Sequence, residues 1–307
     1  MRAPWLIFLF LILVSAQMVA ADPAAARTGE PGPVVRFHLQ GPGARQVAEQ
    51  CLAAWREQGP ALLAELDPQG AARDTITCLV LDSDAFEANF AGRLPDWGVG
   101  AALPGGRLIA LDYARLPTVG RGAVEVFLHE MVHAILFQVT GRVWLPTWLH
   151  EGTAMVYSGE WKFLDMVSLV LDGHVPSLEH LRGRFPAPAG LADRAYRTSL
   201  LAVKRLRDEH GPQVVGRILA ETARSGEFPA AFQAVTGQSV EDFTGAFDRA
   251  MNFRLGWAVM LTRWPTLFVI LAVAFAVGAV RKMILTRRRL AEMEDAEMED
   301  EDAEPLS

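Results

Sequence analysis

Two histidines one helical turn apart, His129 and His133, flank Glu130, and Glu151 follows eighteen residues after the second histidine. In an α-helix, residues i and i+4 project from the same face, so both imidazoles of His129-Glu130-Met131-Val132-His133 can reach one ion. Zinc takes imidazole nitrogen and carboxylate oxygen, and two His with one Glu form a catalytic ligand set that leaves a position for water. The pattern therefore points to hydrolysis. Such a short motif also recurs by chance, and the competing reading is two histidines and a glutamate hydrogen-bonded within a core.

The surroundings favour the metal. Ala123, Val124, Phe127, Leu128, Met131, Val132, Ile135 and Leu136 recur with helical period, and the pattern ends near Gly141. A helix so apolar buries the polar groups of its motif, and those groups need partners. The second segment is Pro146-Thr147-Trp148-Leu149-His150-Glu151-Gly152-Thr153-Ala154. Its proline suits the first turn of a helix. Gly152 and Ala154 are small, which predicts close packing of this helix against the first and delivery of the Glu151 carboxylate to the ion.

With both segments in view, HEMVH and PTWLHEGTA resemble the gluzincin zinc peptidases, most closely the small bacterial peptidase MA-like domains with a P-x-W-L-x-E-G-x-A segment. The resemblance covers roughly residues 34–252. It includes Gly106 to Leu111 ahead of the first motif and Ala195-Tyr196-Arg197-Thr198-Ser199 after the second. It implies one zinc ion per chain held by His129, His133 and Glu151, with Glu130 as catalytic base. Thermolysin-type enzymes carry an aspartate four residues after the ligand glutamate, where it orients a histidine; this chain has Met155 there. The partner that orients the histidines must come from elsewhere.

Other elements have to position these groups. Val34 to Leu39 alternates like a strand, Arg45 to Gln58 reads as an amphipathic helix, and Thr75 to Leu81 reads as a central strand. A short helix is expected over Ala85 to Phe90. Gly98 to Leu103 and Arg107 to Leu111 flank Pro104-Gly105-Gly106, a hairpin signal. The motif helices are expected at about 120–139 and 146–158. Helical periodicity continues over Leu191–Glu209, Gln213–Ala223 and Val240–Asn252, broken at Gly211-Pro212 and Gly237. The pattern predicts an α+β domain, a mixed sheet with the motif helix and then a helical half; the resemblance makes it zincin-like. An edge strand just ahead of the metal helix aligns substrate by β-augmentation in such peptidases. The 98–111 hairpin is the candidate, with an ordinary sheet edge as the alternative.

Both ends of the chain look specialised. Arg2, the apolar run Leu6 to Val14, and small residues at Val19 and Ala21 read as a signal peptide over residues 1–21, with an uncleaved anchor as the rival. A Pro/Ala/Gly-rich leader covers 22–33. Residues 264–285 are expected to form one transmembrane helix. Arg281, Lys282, Arg287, Arg288 and Arg289 lie at its end and put the C-terminus in the cytoplasm. The domain would then be extracytoplasmic, facing the periplasm from the inner membrane. Residues 286–307 form a basic and then acidic tail, with nine acids and no bases between Glu292 and Glu304. Such a like-charge run reads as solvated and disordered, and it identifies no cytosolic partner. Between residues 22 and 280 there are 23 basic and 27 acidic residues, so no basic stripe argues for nucleic acid. Cys51 and Cys78 are the only cysteines. In an exported chain an even pair favours a disulfide, with two buried free thiols as the alternative.

The expected activity is membrane-anchored, zinc-dependent hydrolysis of peptide bonds in a peptide or protein substrate. Zinc activates a water, and Glu130 takes its proton and passes it to the leaving amine. A second donor for the tetrahedral oxyanion is expected from Tyr196 first and His150 second, with plain core packing open for Tyr196. His38, His174, His180 and His210 lack motif context and read as surface or loop residues. The alternative function is a zinc-binding but catalytically silent ectodomain that serves binding or assembly at the membrane. Retention of Glu130 counts against it, because a structural site has no need of that carboxylate.

Overall fold

The computed structural model of the chain describes residues 32–91, 98–159, 175–183, 185, 188–262 and 264–302. The expected signal peptide, most of the leader, and His174 lie outside the described residues.

Strand β1 (Val35–Leu39) leads into α1 (Ala44–Leu66), β2 (Ile76–Leu81), α2 (Ser83–Phe90), β3 (Gly100–Ala102) and β4 (Leu108–Asp112). A 3₁₀ turn (Leu116–Val119) precedes α3 (Ala123–Thr140) and α4 (Thr147–Ser158). Then follow α5 (Ala189–His210), α6 (Val214–Ser225), α7 (Phe228–Thr236), α8 (Val240–Thr262) and α9 (Trp264–Asp302). The architecture is mixed α/β, a small four-stranded sheet accompanied mostly by helices.

The sheet order is β1-β2-β4-β3, with β1, β2 and β4 parallel and β3 antiparallel at one edge. Ile-Thr-Cys-Leu-Val-Leu in β2 is a nearly unbroken apolar run, as a parallel strand covered on both faces requires. The β3–β4 turn holds Gly106 at φ +66°, and a Cβ there would stand 2.1 Å from the carbonyl oxygen of Ala134. Only glycine accepts both that backbone and that approach, so the hairpin tip lies directly on α3.

Two cores share α3. In the sheet core, Val126, Phe127, Met131 and Ala134 meet Ile76, Cys78, Val80 and Ile109. In the helical core, Val132, Ile135, Leu136 and Val139 meet Trp148, Leu149, Val203, Ile218 and Phe243.

Several expectations are corrected. Helix α1 does not stop at Gln58 but runs through Pro60 to Leu66. The hydrogen bond that Pro60 cannot make belongs to the carbonyl of Arg56, an exposed residue open to water, while buried Leu62 and Leu66 draw the segment onward into the core. Helix α7 is additional; it starts on Phe228-Pro229, with proline in its first turn. Cys51 and Cys78 are free, buried thiols rather than a disulfide. Sγ of Cys51 donates to the carbonyl oxygen of Ala123, 3.8 Å away, which draws it toward the start of α3.

The expected membrane segment falls in α9. Residues Phe268–Arg287 have the length and composition to cross a membrane, and that stretch is solvent-exposed. Helix α3 passes the same test of composition but is mostly buried. The acidic tail, expected to be disordered, continues α9 as helix to Asp302.

Candidate metal centre

Helix α3 presents two neighbouring stripes at i, i+4 spacing. One carries His129, His133 and Phe137; the other carries Val126, Glu130, Ala134 and Gln138. The first stripe meets α4 and the second meets the β3–β4 hairpin.

Two contacts fix α4. Its N-terminus has no capping side chain, since Pro146 occupies that position. The N–H groups of Thr147 and Trp148 instead donate to the carbonyls of Arg182 and Leu181, at 3.1 and 3.0 Å. On its far side Gly152 lies on α5, where a Cβ would stand 2.2 Å from the carbonyl oxygen of Ser199 and 2.7 Å from Cγ2 of Val203. The small residue thus serves close approach to α5, whereas the sequence suggested approach to α3. Helix α5 backs α4 while Glu151 faces the histidines.

Oε2 of Glu151 is 3.4 Å from Nε2 of His129 and 3.4 Å from Nε2 of His133. These donors all lie within 4.8 Å of one another and could hold a metal ion; theirs is the only such group among the described residues. Tetrahedral coordination with bonds of about 2.0–2.1 Å separates neighbouring donors by about 3.4 Å, so the observed spacing fits an ion between them. Oε2 is buried and has no hydrogen-bond partner of good geometry among the described residues. A buried carboxylate oxygen in that position calls for a cation. Burial alone would raise the Glu151 carboxyl, but the charges of His133 and His129 and their contacts with it prevail and hold it far below the usual range.

Glu130, also buried, stands one residue round the helix from His129. A Cβ on Gly100 of β3 would meet its Oε1 at 2.6 Å. Four residues on, the hairpin touches α3 again at Ala134, and Nε2 of Gln138 donates to the carbonyl oxygen of Gly106 at 2.7 Å. The hairpin is seated along the Glu130 stripe, and β3 is an edge strand beside the candidate base.

The two proposed oxyanion donors lie in different places. Tyr196, half-buried on α5, has its ring 6.5 Å from that of His129, and Phe185 packs against it at 5.1 Å. His150 lies behind His133, its Nδ1 2.7 Å from Nδ1 of His133, the ring nitrogen that does not face Glu151. Phe137 packs on His150 with ring centroids 4.9 Å apart. Burial, then the neighbouring His133, lowers the His150 imidazole to about 3, so it is neutral at physiological pH. His38 and His180 are exposed, and His210 is half-buried at the end of α5, away from the cluster, with Nε2 3.5 Å from Gln238.

Two relationships escaped the sequence reading. The contact of Gly100 with Glu130 leaves only a weak trace, a glycine in a short apolar strand. The pairing of His150 with His133 crosses between helices and has no spacing signature. No protein-family model matches the chain, and no curated protein is significantly similar to it in sequence.

Proposed function

We propose that the chain is a zinc-dependent peptidase of the gluzincin type, with a zincin-like domain resembling the peptidase MA-like group. The observation that carries this reading is Oε2 of Glu151, buried and equidistant from two imidazole nitrogens, with Glu130 on the neighbouring stripe. A donor set of two nitrogens and one oxygen at tetrahedral spacing suits zinc, and three protein ligands leave a position open for catalysis. Zinc bound there supplies an acidified water and a Lewis acid for the scissile carbonyl.

The protein's own groups then account for the proton and the alignment. A carboxylate on the Glu130 stripe takes the proton of the attacking water and hands it to the nitrogen of the departing amine. The outer edge of β3, which lies at the end of the sheet among the described residues and is held against that carboxylate, binds an extended peptide by strand addition. Tyr196, beside His129, is the donor proposed for the developing oxyanion. A long, exposed apolar helix supports a single membrane span in α9. The basic residues at its end support a cytoplasmic C-terminus and an extracytoplasmic domain.

The test is made on the full chain, purified in detergent without chelators. Elemental analysis is expected to find one zinc per chain in wild type and in Glu130→Gln. Hydrolysis of a peptide mixture is expected to fall at least about 100-fold in the variant. Stoichiometric zinc without hydrolysis by wild type would favour the silent binding module, and absence of metal would exclude both readings.

A further inference from the structure

We propose that His150 is the positioning residue for the metal ligand His133, filling the role left open where Met155 replaces an orienting acid. The assignment rests on the metal-site reading above and deepens it. Nε2 of His133 points at Glu151, so when that nitrogen serves as a ligand its lone pair must be free. The proton of a neutral His133 ring then sits on Nδ1, 2.7 Å from Nδ1 of His150. Two N–H groups cannot face each other at that distance, so His150 accepts there and carries its own proton on Nε2.

Ring geometry agrees with this arrangement. The planes of the two rings are inclined to each other by 25°, with centroids 4.6 Å apart. A nitrogen–nitrogen contact of 2.7 Å is too short for stacked faces and corresponds to a hydrogen bond between ring edges. Phe137, one turn beyond His133, packs on His150 and restricts the ring that makes this bond.

A neutral partner differs chemically from the usual one. Histidine ligands commonly donate their second nitrogen to a carboxylate or a backbone carbonyl. A carboxylate in this place would add a negative charge beside a site that already holds Glu151. An imidazole fixes the tautomer and the ring orientation without adding charge, so a divalent ion would keep a net charge of +1 from the ion and its ligands. His150 thus acts through His133, and this role takes the place of oxyanion stabilisation.

The probe is Co²⁺, titrated into the metal-free full chain in detergent and followed by its visible d–d absorption. His150→Asn keeps an acceptor oxygen near the position of Nδ1, whereas His150→Leu fills similar space with no acceptor. The leucine variant is expected to bind Co²⁺ about 10- to 100-fold more weakly, and the asparagine variant within about threefold of wild type. His150→Met supplies a second variant without an acceptor should the leucine variant fail to fold. Unchanged affinity in the variants without an acceptor, or equal losses in Asn and Leu, would overturn the assignment. Failure of wild type to bind Co²⁺, or undiminished binding by His133→Ala, would overturn the metal-site reading itself and this assignment with it.

Discussion

A Cβ placed on Gly100 would stand 2.6 Å from Oε1 of Glu130, so the edge strand lies directly on the carboxylate proposed as base. Val126 Cγ1 is as close, at 2.7 Å, which leaves an added methyl nowhere to go on that face. Gly100→Ala must therefore displace either β3 or the Glu130 side chain, while the ligands on the adjoining stripe stay in place. The expected result is a kcat about 10- to 100-fold lower with zinc content unchanged, by steady-state kinetics and elemental analysis. Parallel loss of metal and activity would count against separate roles for the two stripes.

Gly152→Ala probes the other side of the site. The new Cβ would meet the carbonyl oxygen and carbon of Ser199 at 2.2 and 2.6 Å, backbone atoms that no rotamer change can move aside. Helix α4 would have to withdraw from α5. A stability loss of about 1–3 kcal/mol is expected in urea unfolding of the full chain, with weaker metal binding because Glu151 moves with α4. An unchanged midpoint would mean that the helices are not locked at this distance.

The buried thiols predict behaviour at high pH. Burial raises Cys51 from 9.0 to about 12, and burial, with the charges of Cys51 and Glu130, raises Cys78 well above 9.0. A folded value above the unfolded one means that the neutral thiol is favoured in the fold. That stability is fully present below pH 9 and is lost as the pH rises toward 12. At pH 10.5 the loss from Cys51 is about 2 kcal/mol. It should appear as a drop in denaturation midpoint that a Cys51→Ala/Cys78→Ala double variant lacks. Ellman's reagent should find no reactive thiol in the native chain and two after unfolding; none after unfolding would indicate a disulfide.

Legibility in the sequence followed the range of the interaction. The HEMVH helix was readable because ligand spacing and apolar period are both properties of one helix. Strand β2 and the β3–β4 hairpin were readable for the same reason, from a continuous apolar run and from Pro104-Gly105-Gly106. Packing partners were harder. Gly152 announced a close approach but not its target, and the target is Ser199 on a helix some fifty residues on. His150 reads from the sequence as a second candidate for the oxyanion donor, but its bond to His133 depends on how two helices are set face to face. Pro60 shows the converse: a local breaker was outweighed by the burial of Leu62 and Leu66 beyond it.

The sharing of α3 between two cores has a consequence for how the domain comes apart. Val126, Phe127 and Met131 are needed by the sheet, and Val132, Ile135 and Leu136 by the helices, so neither half can melt and leave the other a finished surface. Partial opening that spares the site is confined to elements remote from α3, and disruption of α3 itself is global unfolding. The histidines of the proposed metal site therefore ride on the most cooperative segment of the domain. As temperature or denaturant rises, loss of metal and loss of fold should arrive together as one transition rather than in sequence.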